Sequence, residues 1–186
     1  MLAHLITRPS PRHGLGVFAT APIRQHALVI EYAGEHITHD EAARRYPEQG
    51  TVERPEHTYV LQLDAERVID ANVGGNDARF INHSCAPNLE PVAIGDHLWL
   101  VARRDIAAGE ELGYDYAIEL DVPHTPALKK RWPCACGADT CRGTLLRAKR
   151  APRDADARAV HAAVARQLQA LLDDDAPMRR RRTDRA

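Results

Sequence analysis

The chain has 186 residues, 25 Lys and Arg against 26 Asp and Glu, a net charge of −1 and only 5% aromatic residues. That length suits one domain with a small appendage, large enough to bury a core without disulfides. Near-neutral charge argues against nucleic-acid binding over a broad surface, and no apolar run approaches the ~18 residues of a membrane span.

Met1 to Pro9 lacks the charged-then-apolar layout of a secretory signal, so the expectation is an intracellular protein whose thiols stay reduced. In chain order, residues 1–9 suggest a short strand ended by Pro9. Ser10 to Ala19 gives a turn-rich loop running into an apolar segment. Its Gly14-Leu15-Gly16 allows close backbone approach to a ligand or simply a tight turn, and it lacks the third glycine of a dinucleotide fingerprint. Ala27 to Tyr32 is a β-rich run, and His39 to Arg45 has weak helical character. Tyr59 to Leu63 and Arg67 to Asp70 form a hairpin about Asp64-Ala65-Glu66. His97 to Ala102 is another strand, and Asp105 to Leu112 is a turn entering one more. Many short strands with frequent turns predict an all-β architecture for residues 1–120.

Past Pro123 the character changes to a compact cysteine cluster. After it, a helix is expected over residues 154–174, with an apolar stripe of Ala157, Val160, Ala163, Val164, Leu168, Leu171 and Leu172. Asp173 to Asp175 at its C-terminal end oppose the helix dipole. Met178 to Ala186, with four consecutive arginines from Arg179 to Arg182, is expected to be disordered, either as a solvated tail or as a weak binder of an acidic partner or nucleic acid.

The stretch Arg79 to Asn88 packs two amides, an imidazole, a hydroxyl and a thiol around the apolar pair Phe80-Ile81. Alone it could be a polar turn closed by Pro87-Asn88. The chain has four cysteines: Cys134, Cys136 and Cys141 in a C-x-C-x4-C pattern, and Cys85 inside that polar stretch. Four thiolates are what a closed structural zinc site requires. The alternative is free buried cysteines, which three within eight residues make a poor fit. If Cys85 is the fourth ligand, a metal fastens the late cluster over the Asn82-His83 loop as a flap.

At this point the sequence resembles the SET-domain family of protein lysine methyltransferases. The resemblance covers roughly residues 5–146 and rests on four motifs in the family's order. These are His13-Gly14-Leu15-Gly16, the R-F-I-N-H-S-C-x-P-N stretch from Arg79 to Asn88, Gly109 to Tyr116, and the post-SET pattern ending at Leu145. The resemblance implies a mainly β fold of small sheets with a pseudoknot (β-clip type), a zinc-bound post-SET segment and one terminal helix. The division it suggests is a SET domain at 1–120, a post-SET segment at 121–146, a helix at 147–176 and a basic tail at 177–186.

It also implies roles. S-adenosyl-L-methionine would be held by His13, Gly14, Leu15, Gly16, Tyr59, Arg79, Asn82, His83 and the backbone at Ala135. Zinc would be held by Cys85, Cys134, Cys136 and Cys141. Tyr116 matches the catalytic tyrosine, Tyr114 the position governing methyl number, and Tyr32 a wall of the lysine channel. Residues 114 and 116, two apart on a strand, share a face, so both hydroxyls are expected in one channel. The sequence lacks a cysteine-rich pre-SET segment, and its Gly34–Tyr59 insert is short; in the family these parts help choose the peptide.

The expected reaction is methyl transfer to a lysine amine of a histone or non-histone protein, stopping at mono- or dimethylation. The expected setting is the cytoplasm in a bacterium, or nuclear chromatin in a eukaryote. The competing readings are a SET-like module that has lost catalysis and recruits partners, and a zinc-dependent nucleic-acid binder. Intact Tyr116, Asn82 and His83 oppose the first, and the neutral charge opposes the second.

Overall fold

The computed structural model describes residues 3–47, 59–120, 122–147, 160 and 162–170. The expected basic tail with its arginine run, the acidic end of the last helix and residues 48–58 of the insert before Tyr59 lie outside the described residues. Among the described residues, ten short strands form small sheets, as the turn-punctuated sequence predicts. β1 (Leu5–Pro9) and β2 (Leu15–Ala19) make an antiparallel ribbon. β3 (Leu28–Glu31) leads to β4 (Glu35–Thr38) and the one-turn-plus helix α1 (His39–Arg45). β5 (Val60–Gln62) and β6 (Arg67–Asp70) are the expected hairpin, and β6 is the centre of a sheet ordered β4-β6-β5. A 3-10 turn at Asp77–Phe80 precedes β7 (Asn82–His83). β8 (Leu89–Ile94) and β9 (His97–Ala102) join β3 in the order β3-β9-β8. β10 (Gly113–Tyr114) pairs in parallel with β7, and α2 (Pro126–Arg131) lies in the post-SET segment.

The uninterrupted apolar run of β9 has a simple cause: both of its faces are buried. Leu98, Leu100 and Ala102 enter the main core with Val17, Ile69, Leu89 and Leu112. Trp99 and Val101 face the opposite way, with Leu28 and Val92, and are covered by Val160 and Val164. Residues 160 and 162–170 are helical, so the described part of the expected terminal helix is present and its apolar stripe supplies this second layer. The Gln167 side chain fastens it to β3: Nε2 donates to the His26 carbonyl at 2.7 Å and Oε1 accepts from the Leu28 N–H at 3.1 Å. Among the described residues, no helix is long and apolar enough to cross a membrane.

β8 and α2 are elements that the sequence pattern did not reveal. Pro91 interrupts β8, but β8 is an edge strand, where a missing N–H is tolerated. α2 is only six residues long, too short for periodicity. Its signal is the Thr125-Pro126 pair: Thr125 Oγ1 accepts from the Leu128 N–H and Pro126 occupies the first helical turn.

Asp70, fully buried at the end of β6, pins α1 onto the small sheet. Its Oδ2 accepts from the Tyr46 hydroxyl at 2.8 Å and from Arg45 at 3.1 Å, and its Oδ1 from the Asn72 backbone and side chain at 3.0 Å each. Burial pushes the Asp70 carboxyl up, but the donors from Tyr46, Asn72 and Arg45 outweigh it and hold the carboxyl below its ordinary range. A carboxyl depressed in the fold contributes stability above its unfolded value, about 3.9, and loses it as pH falls through the folded value. Asp70→Asn is therefore expected to lower the melting temperature by several degrees at neutral pH. The gap to the native chain should close as the solution is acidified below about pH 4. Melting curves across pH check both statements, and a gap independent of pH would refute the ionic origin.

Candidate active site and metal centre

The Arg79–Asn88 stretch is held from both ends. Asn76 caps the 3-10 turn by accepting from the Ala78 N–H, and Ile81 is buried beneath it. The parallel pairing sets Gly113 against Asn82 and Tyr114 against His83. A Cβ on Gly113 would lie 3.1 Å from the Ser84 Cβ and 3.2 Å from the Asn82 carbonyl, so the close pairing favours glycine. Asn88, the second amide of the stretch, is consumed structurally: Nδ2 donates to the Glu111 carbonyl and to Glu110, and Oδ1 accepts from the Gly113 N–H.

Asn82 faces the early loop. Its Nδ2 donates to the Leu15 carbonyl at 2.9 Å, the Glu111 Oε1 at 3.1 Å and the His13 carbonyl at 3.2 Å. Three acceptors around one nitrogen fix the amide's orientation, and among the described residues no donor meets Oδ1. His83 is buried; its Nδ1 accepts from the Tyr116 N–H at 3.1 Å, which leaves the proton on Nε2, 3.3 Å from the Cys85 sulfur. Burial lowers the His83 pKa to about 4 against the opposing pull of Asp115, with Arg142 lowering it further. The imidazole is thus neutral and acts as a strut between Tyr116 and the cysteines.

Two cavities meet here. The smaller, about 300 Å³, is lined by His13, Asn82, His83 and Ala135 among others, and the larger, about 580 Å³, by Tyr32, Tyr59, Arg79 and Tyr114. Tyr116 and Leu145 stand in the walls of both. Of the residues expected at the cofactor, Gly14, Leu15 and Gly16 do not line the smaller cavity but form the loop behind it, with the Leu15 carbonyl on Asn82. Tyr59 and Arg79 lie in the larger cavity instead. There Tyr59 packs edge-on to Phe80 at 6.0 Å and the Arg79 guanidinium sits 4.7 Å over the Phe80 ring.

Tyr114 and Tyr116 do share a face, their ring centroids 4.9 Å apart. The Tyr116 hydroxyl donates to the Ile81 carbonyl at 2.9 Å, and its ring meets His83 edge-on at 5.3 Å. Burial raises the pKa of Tyr32, Tyr114 and Tyr116 well above the ordinary phenol value, and phenol neighbours add to the effect. All three hydroxyls stay protonated at neutral pH, so they can orient a partner but are not bases.

The four cysteines converge, with all sulfurs within 4.8 Å of one another. The Cys134 sulfur lies 3.7 Å from that of Cys85 and 3.8 Å from that of Cys141. Four sulfurs set tetrahedrally about 2.3 Å from one zinc ion would be about 3.8 Å apart, so the donor set and spacing fit that metal. The Cys136 thiol is lowered: burial opposes ionisation, but the N–H groups of Cys85 and Ala138 and neighbouring thiols bring it to about 7. A second fastening was not foreseen. Arg142, between Cys141 and Gly143, makes a bidentate pair with Asp115 at 2.6 and 2.7 Å and donates to the Leu146 carbonyl. It rivets the cysteine segment to the residue between the two tyrosines. Its position inside the cysteine motif was the available signal, but nothing local identifies its partner 27 residues away.

Small sheets carrying two abutting cavities, a tyrosine pair and a four-sulfur cluster define a class, and residues 14–117 match the SET domain family. The chain belongs to that family. It is similar to "Histone-lysine N-methyltransferase, H3 lysine-4 specific" of Schizosaccharomyces pombe, 40% identical over 144 residues, which is 74% of this chain and 14% of the relative. It is also similar to "Histone-lysine N-methyltransferase trr" of Drosophila melanogaster, 40% identical over 134 residues (69% and 5%). A third relative is "Histone-lysine N-methyltransferase SUV39H2" of Mus musculus, 38% identical over 154 residues (71% and 31%). The matched part spans less than a third of the length of each of these curated relatives.

Proposed function

We propose that the chain is an S-adenosylmethionine-dependent protein-lysine methyltransferase acting on a histone or non-histone protein and adding one or two methyl groups. The observation that carries this reading is the place of Tyr116, a wall shared by two cavities. A two-substrate transfer needs such a junction, where donor and acceptor meet in line. The smaller cavity suits the cofactor: its volume is that of a small-molecule site, and Asn82 Oδ1 is an acceptor suited to an amino group. Cys85, Cys134, Cys136 and Cys141 would hold zinc, which supplies no reaction step and ties the Pro133–Cys136 wall in place. The same reading divides the chain into a SET domain, the post-SET segment, the terminal helix and a basic tail.

S-adenosylmethionine, when bound, supplies a methyl group activated by its sulfonium. The chain's residues prepare the acceptor. Lysine, with an ordinary pKa of ~10.4, arrives as an ammonium that cannot attack. The walls from buried Tyr32 and Tyr114 and half-buried Tyr59 remove water around it, which favours loss of its proton to solvent before it is enclosed. Tyr116, anchored on the Ile81 carbonyl, then orients the neutral amine. Positioning of this kind supplies ~7–11 kcal/mol of a barrier, so no strong base is required.

Incubating the protein with radiolabelled S-adenosylmethionine and a mixture of histones and cell lysate tests the activity directly. Label in lysine is expected, and mass spectrometry of the labelled protein names the substrate; the absence of any lysine label would refute the reading. A histone substrate would put the protein on chromatin, a non-histone one elsewhere. Methyl number follows from Tyr114, whose hydroxyl occupies room that a bulkier methylated lysine needs. Tyr114→Phe is expected to shift the product towards trimethyl-lysine, and mainly trimethyl product from the native chain would overturn that assignment.

A further inference from the structure

Glu111 lines neither cavity, yet its carboxylate is tied to several residues that support the smaller one. Oε1 accepts from the Ser10 hydroxyl at 2.8 Å and from Asn82 Nδ2 at 3.1 Å. The Arg12 Nε lies 3.8 Å from Oε2, and the Glu111 side chain is only 6% exposed, so water cannot replace these partners. The backbone is equally fixed: Phe18 bridges to residue 111, and Asn88 Nδ2 donates to its carbonyl at 2.9 Å. The carboxylate therefore hangs from a rigid point directly beneath the 10–16 loop.

Gly16 completes the arrangement. A Cβ there would sit 2.6 Å from the Glu111 Oε1 and 3.0 Å from the Ser10 Cβ. The absence of a side chain at 16 is thus the space that the carboxylate fills. Ser10 also turns the loop, its hydroxyl accepting from the Arg12 N–H at 3.0 Å. The carboxylate accordingly reaches both ends of the loop, and by accepting from the Asn82 Nδ2 it fixes the orientation of that amide.

We infer that Glu111 is a positioning residue for the methyl donor: it sets the 10–16 loop and the Asn82 amide so that the smaller cavity presents the Asn82 Oδ1 to a ligand's amino group. This rests on the methyl-transfer reading above. Without the carboxylate, Asn82 loses its charged acceptor and the loop loses its anchor at Ser10. The effect falls on cofactor affinity, because Glu111 touches neither the lysine channel nor the transferring group.

The test is binding of S-adenosylhomocysteine by calorimetry, alongside steady-state kinetics with S-adenosylmethionine. Glu111→Ala is expected to raise the Kd, and the KM for the methyl donor, about tenfold, as losing one or two charge-assisted hydrogen bonds does. The change in kcat should be much smaller. Glu111→Gln, which keeps an acceptor oxygen, should recover most of the affinity. Should the alanine variant fail to fold, Glu111→Asp keeps the charge but shortens the reach by one methylene, and the same rise in Kd is expected. An unchanged Kd in a folded Ala or Asp variant overturns the inference, and so does an equal loss of kcat and affinity with a lowered melting temperature. Failure of the native chain itself to bind S-adenosylhomocysteine would instead sink the methyl-transfer reading.

Discussion

Tyr116→Phe is expected to lower kcat by about a hundredfold or more, the scale at which a misplaced reacting group affects rate. Its Kd for S-adenosylmethionine should stay within a few-fold of the native value. The substitution removes one oxygen and nothing else. The ring would keep its 5.3 Å contact with His83 and its 4.9 Å contact with Tyr114, so both cavity walls survive. What disappears is the hydrogen bond to the Ile81 carbonyl and the protonated hydroxyl at the junction. Because burial keeps that phenol protonated, the lost function is orientation and not proton abstraction. The rate deficit should therefore persist at alkaline pH, where the lysine amine is already neutral. Single-turnover measurements at saturating cofactor read this directly, and a native rate in the variant would end the assignment of Tyr116.

Removing the metal is expected to abolish methyl transfer and unfold the post-SET segment while leaving the β-sheet core folded. The energetics favour this: structural zinc contributes about 10–16 kcal/mol in small cysteine and histidine sites near neutral pH. Otherwise the segment from α2 to Leu146 is held by a small core of Leu128, Trp132 and Leu146 and by the Arg142–Asp115 pair. The core built around β9 is independent of the sulfurs. Pro133, Ala135 and Leu145 wall the smaller cavity, so loss of the segment opens it. Cys136→Ser, or dialysis against a strong chelator, should give protein without bound zinc, with little affinity for S-adenosylhomocysteine and a nearly native far-ultraviolet dichroism spectrum. Elemental analysis of the native chain should return one zinc per molecule. Full activity from a zinc-free preparation would refute the role of the cluster.

Much of the fold was legible because its cause is local. The apolar run of β9, the hairpin of β5 and β6, the helical stretch of α1 and the described part of the last helix all follow from side-chain pattern. β8 escaped because Pro91 reads as a strand breaker until its edge position is known. α2 escaped because six residues carry no period. The site divides in the same way. The four cysteines announced themselves by number and spacing, and the tyrosine pair by its separation of two; the rings share a face as expected, although β10 ends at Tyr114 and Tyr116 follows it outside the strand.

By itself the sequence determined which chemical groups this protein holds: two phenols two residues apart, four thiols, and an amide and imidazole side by side. The tertiary structure decided what each of them meets. Tyr59 and Arg79 stand with the phenols in the larger cavity, apart from His13 and Asn82. Ser10 meets Glu111 across 101 residues, and Arg142 meets Asp115 across 27. Such contacts leave no local periodicity to read, because chain crossing and the packing of separate sheets bring the partners together, and only the folded chain specifies those.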